Sequence, residues 1–122
     1  MKRLLPLLLV AGAYAHEMTP AYPRLEPSYV SGVHRASLEM FNRREDVDYY
    51  EIGVFSKDWE PIPFVTSYKI MRLPYLRHAK FDVYIRNEDV ARAVYVCSKS
   101  KLRSDTSSIT AVSSRICSKF KQ

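Results

Sequence analysis

The residues in this chain best suited to chemistry are three histidines, His16, His34 and His78, and two cysteines, Cys97 and Cys117. Imidazole is a good copper ligand. His16 follows Ala13-Tyr14-Ala15, an A-x-A cleavage pattern. A cut after Ala15 makes His16 the N-terminus, where its amine and ring chelate copper together and His34 or His78 completes the site. Outside that alternative, the sequence implies no cofactor. The cysteines lie too far apart for a C-x-x-C redox pair, and two thiolates do not close a zinc site. In an exported chain they read as one disulfide. Catalysis finds little to build on. No G-x-S-x-G elbow is present, and three glycines make no phosphate-cradling loop. The acidic pairs Glu45-Asp46 and Glu88-Asp89 are adjacent within turns, not spaced across a substrate. The expectation is a binding protein, not an enzyme.

Basic charge is the second feature. The 122 residues carry 19 Lys and Arg against 13 Asp and Glu, a net charge of +6. Lys99, Lys101 and Arg103 alternate along one segment, and Arg115, Lys119 and Lys121 along another. Brought together, they form a basic ribbon able to meet an anionic surface on another protein. The same charges also keep a solvated ribbon from pairing edge to edge with other chains. Nucleic acid is not expected, because the aromatics are not interleaved with the basic residues.

The elements that position these residues read as short strands after an address. Met1-Lys2-Arg3, a short apolar run and the A-x-A site make residues 1–15 a secretory signal peptide, too short to span a bilayer. Residues 16–122 then form one exported domain, periplasmic or secreted, with no transmembrane segment. Within it, apolar and polar residues alternate over 33–42, 49–55, 68–73, 80–86, 92–98 and 109–119. Pro61 and Pro63 confine their segment to an edge or an irregular crossing. One helical turn fits within 87–93. About seven strands with turn signals between them predict an all-β, immunoglobulin-like antiparallel sandwich. The last pair makes a hairpin. If Cys97 faces Cys117, the turn centres on residue 107, within the polar run Ser104-Asp105-Thr106-Ser107-Ser108.

The strand order and residues also resemble a known family. They run Glu26-Pro27-Ser28-Tyr29, Leu38-Glu39-Met40-Phe41-Asn42, Tyr50-Glu51-Ile52-Gly53-Val54-Phe55, Trp59, Pro61-Ile62-Pro63-Phe64 and Lys80-Phe81-Asp82-Val83-Tyr84-Ile85-Arg86. Residues 24–100 resemble the N-terminal domain of PapD-type periplasmic pilus chaperones. The resemblance implies an immunoglobulin-like fold and a chaperone-like role. It covers one of the two domains such chaperones have. Their basic cleft pair is not carried over: Arg24 and Lys119 lie in comparable stretches without matching residue by residue. The expected mechanism is strand addition, in which a partner's extended segment pairs with an open sheet edge. The edge near 109–119 is the expected one, with Arg115 and Lys119 steering.

Overall fold

Alternation along the chain decides which segments become strands and which face each presents. In the computed structural model, which describes residues 16–101 and 113–121, eight strands and one helical turn follow in order. They are β1 (Glu17–Thr19), β2 (Glu26–Pro27), β3 (Val33–Phe41), β4 (Tyr49–Phe55), β5 (Ile70–Arg72), β6 (His78–Arg86), α1 (Asn87–Val90), β7 (Tyr95–Lys101) and β8 (Arg115–Lys119). The expected signal peptide, the hairpin turn and Arg103 lie outside the described residues.

Two antiparallel sheets face each other. In the first, β1 and β2 pair with one side of β3, and β6 with the other. The second has the order β5-β4-β7-β8. Ala36, Leu38 and Met40 of β3 and Phe81, Val83 and Ile85 of β6 meet Tyr50, Ile52, Val54 and Val96 from the opposite sheet. Each such large apolar side chain removed from water contributes about 1.5–3 kcal/mol. Gly32, at a φ of 84°, turns the chain between β2 and β3 in the left-handed region that glycine adopts without steric cost.

The sequence expectation for an immunoglobulin-like sandwich holds, as does the disulfide. Cys97 lies opposite Cys117 in the β7–β8 register, and the two are bonded. Strand bounds differ: β6 starts at His78 instead of Lys80, β5 spans only Ile70–Arg72, β8 starts at Arg115, and β1 and β2 are not among the expected strands. The expected strand over 92–98 begins only at Tyr95, because the preceding residues complete the helical turn: Ala93 N–H donates to the carbonyls of Asp89 and Val90. Asp89, buried, receives hydrogen bonds from Arg86 and Arg92, which holds that turn in place.

The two lateral sides of the sandwich differ. On the β8 side, the chain leaves β1 through a cis Thr19–Pro20 bond and crosses to the second sheet. There Ala21 and Pro23 carbonyls accept the N–H groups of Lys119 and Lys121, with a parallel bridge between Arg24 and Lys121. On the β5 side, the proline-containing crossing runs the other way. Ile62 N–H bonds to Val54, after which Val65 pairs with Tyr84 of β6.

Asn42, fully buried, ends β3 and joins four segments. Its Nδ2 donates to the carbonyls of Val47 (2.7 Å) and Leu73 (2.8 Å). Its Oδ1 accepts from Arg44 N–H and from the Tyr50 hydroxyl. Its backbone N–H and carbonyl bond to Arg77 and Leu76. Asn42→Asp keeps the shape but loses both Nδ2 donors and strands two buried carbonyls; urea unfolding is expected to register a loss of about 3–4 kcal/mol. The double variant Cys97→Ala/Cys117→Ala is expected to lose about 2–5 kcal/mol in the same assay. A loss under about 1 kcal/mol in either case would contradict these roles.

Candidate partner-binding edge

The edge expected to bind a partner is β8, and its geometry follows from the register. Hydrogen bonds from Ser100 N–H to Ser114 and from Phe120 N–H to Val94 set which residues of β8 bond to β7. By alternation, the N–H and C=O groups of Arg115, Cys117 and Lys119 point away from β7, toward the open side. The crossing segment takes the Lys119 N–H. Among the described residues nothing bonds to the outward backbone groups of Arg115 and Cys117. The expected edge therefore exists, but its described open stretch is short. The disulfide clamps its middle to β7.

The basic ribbon is less uniform than its residue types imply. Lys99 lies opposite Arg115, and both are exposed, as is Lys119. Lys101 pairs with Glu51 across β4 (3.5 Å). The Arg115 guanidinium lies over Trp59 (4.8 Å) and Phe55 (5.8 Å). Trp59 stacks flat on Tyr95, with ring centres 4.4 Å apart. Phe55's ring crosses Gly53, where a Cβ would fall 2.8 Å from it. Glu51, Gly53, Phe55, Cys97, Lys99 and Arg115 border a shallow hollow of about 250 Å³ on this outer face. Sequence reading missed this stack. The one available signal was a glycine two residues before an aromatic on a strand whose outer face is otherwise filled.

The histidines are not brought together. His16 points inward, 1% exposed, and its ring packs against Tyr50 at 4.4 Å. Its Nε2 lies 2.7 Å from Ser98 Oγ and 3.1 Å from the Ser98 carbonyl. A carbonyl only accepts, so Nε2 carries the proton and Nδ1 accepts from the Ser114 hydroxyl at 3.4 Å. Arg44 in turn donates to Ser114, and it grips Asp46 through two nitrogens. His34 accompanies Asn87 near the start of β3, whereas His78 stacks on Phe41 at its far end. The described residues contain no group of three or more His, Cys, Asp or Glu placed to hold a metal. The copper alternative thus finds its proposed anchor engaged in the core. No described helix is long and apolar enough to cross a membrane.

Two facing sheets with this strand order, closed by a hairpin ending at the second sheet's edge, align with a solved structure over 88% of the chain, at a TM-score of 0.59 and 19% identity. That structure is the E. coli chaperone DraB. The present chain covers 53% of DraB, about half its length. The likeness to DraB is one of fold, and it supports the PapD-type resemblance read from the sequence. No family model and no curated protein matches the chain.

Burial holds the His16 imidazole below its ordinary pKa of 6.5; the Ser98 carbonyl opposes that shift and the nearby Arg44 charge adds to it. Burial likewise pushes Tyr50 up to about 12. The unfolded imidazole takes up its proton near 6.5 and the folded one only at lower pH. This contribution to stability is therefore complete above pH 6.5 and lost as pH falls through the folded value. Asp46 and Asp89, held below the usual carboxylate range by hydrogen bonds from Arg44 and Arg92, lose theirs further down. Denaturant midpoints measured at pH about 7.5 and about 5 should fall for the native chain and change less for His16→Gln. Equal shifts in both proteins would remove His16 as the source.

Proposed function

We propose that this chain is an exported, chaperone-like module that binds another protein by strand addition at the β8 edge. The carrying observation is the outward backbone groups of Arg115 and Cys117, unbonded among the described residues on a strand that the disulfide ties to β7. A partner's extended segment would continue the second sheet there. Main-chain hydrogen bonds supply affinity and side-chain pockets supply selectivity. Arg115 and Lys99 flank the open stretch and Lys119 follows it, so charge steers the approach. The likeness to DraB supports the reading at the level of fold, and the disulfide suits an oxidising compartment. The A-x-A pattern before His16 supports export. The mode of action is binding, with no catalytic step.

Arg115 provides a direct test, because its N–H points outward and the fold does not use it. Proline removes that donor at a position where an edge strand tolerates it. A partner recovered by co-purification should bind Arg115→Pro at least about tenfold more weakly than Arg115→Ala. Hydrogen exchange should also show new protection at the Arg115 and Cys117 amides in the complex. Equal affinities for the two variants, with no protection on β8, would sink the strand-addition reading.

A further inference from the structure

The opposite side of the sandwich holds a second open edge with a different character. In the β4–β5 pair, Ile52 N–H donates to Lys69 and Leu73 N–H to Asp48. By alternation, the N–H and C=O groups of Ile70 and Arg72 point away from β4. Across the gap, Tyr84 of β6 exchanges both backbone bonds with Val65, so the Lys80 backbone points the same way as Tyr84's, away from β3. The Asp82 carbonyl there accepts from Thr66, which closes one end. Between these edges lies a groove of about 490 Å³. The inner-face residues Met71, Ala79 and Phe81 line its apolar interior, and Tyr68, Ile70, Arg72 and Lys80 line its rim. Tyr68 is 69% exposed and Ile70 is 52% exposed.

The groove is basic, as the β8 edge is, but its cations stand beside exposed apolar side chains. On β8, the exposed Arg115 lies over the Trp59 and Phe55 rings, and Lys101 of the neighbouring strand is paired with Glu51. Around the groove, Arg72 and Lys80 make no ion pair among the described residues, and no acidic residue lines it. Glu39 lies opposite Lys80 in the β3–β6 register, but its ion contact among the described residues is with His78. Glu51, opposite Ile70, is taken by Lys101. Among the described residues, two cations without an ion pair thus stand beside exposed apolar side chains and an open strand edge.

We propose that the β5 edge binds an extended acidic segment of a partner protein in which acidic and apolar residues alternate. Its backbone pairs with Ile70 and Arg72, one row of side chains enters the groove, and its carboxylates meet Arg72 and Lys80. A second copy of this chain is the disfavoured occupant, because pairing β5 with β5 brings the Arg72 side chains of both copies onto one ribbon of three-residue strands. This site is separate from the β8 edge, and each can fail alone.

The test uses the full chain with its disulfide formed and a fluorescein-labelled, terminally blocked heptapeptide alternating glutamate and valine. The control peptide has lysine in place of glutamate. Anisotropy should show the acidic peptide binding at least about tenfold more tightly than the basic one. Amide shifts should concentrate at Ile70, Arg72 and Lys80. Arg72→Glu/Lys80→Glu should reverse the preference, and Arg72→Gln/Lys80→Gln should abolish it if the charge-reversed variant fails to fold. Arg115→Glu on β8 should leave it unchanged. Equal binding of both peptides, no binding at millimolar concentration, or shifts confined to Arg115 and Cys117 would each overturn the proposal. So would sedimentation showing a dimer of this chain that Arg72→Glu abolishes.

Discussion

The structure depends first on one buried amide. Asn42 follows β3, one of the two nine-residue strands of the first sheet, where the chain must turn and enter the second. A turn at that place buries carbonyls that no ladder can satisfy. Asn42 satisfies two of them, at Val47 and Leu73, and accepts from Arg44 and Tyr50. Through these bonds the end of β3, the turn into β4 and the end of β5 share one fixed point. Tyr50 then carries the His16 ring on its face, so the N-terminal strand is referenced to the same point. Apolar burial supplies most of the driving force in such a core, but it does not choose a register. A fully satisfied polar group at a junction does.

That polar junction continues into a second cluster of His16, Ser98, Ser114, Ser100 and Arg44. It lies between the sheets where the strands contribute serines instead of aliphatics. Ser98 and Ser100 face inward from β7, and Ser118 from β8. Small hydroxylated side chains leave room for the imidazole and bond to it. The side chain that looked most available for metal chemistry lies in the interior, where it joins the start of β1 to β7.

Much of the fold was legible because its strands alternate. The register of β7 and β8 followed from two cysteines and a polar run between them, and β3, β4 and β6 from clean inward rows ending in charged or polar turns. Asn42 was visible as a residue of the chaperone resemblance, although its four side-chain bonds are long-range and leave no local signature. Less could be seen where tertiary contact overrode local pattern. The residues before β7 alternate like a strand but are held in a helical turn by Arg86 and Arg92 around Asp89. Ile70 and Met71 are adjacent apolar residues, so one had to face solvent; that was the only trace of the β5 groove. The crossing at Ala21 and Pro23 left no pattern at all, since a parallel bridge of so few residues depends on where β8 ends.

The crossing and the charges together bear on how the molecule behaves at high concentration. A sandwich with two open edges can stack head to tail into an unlimited filament when edge β8 of one copy meets edge β5 of the next. Here the chain's own N-terminal crossing shortens one of those edges. What remains of it presents Arg115 and Lys99, and the other edge presents Arg72 and Lys80. Both ends of any such stack have the same sign. Salt therefore governs that repulsion: it acts over about 30 Å at about 0.01 M and is screened within about 3 Å near 1 M.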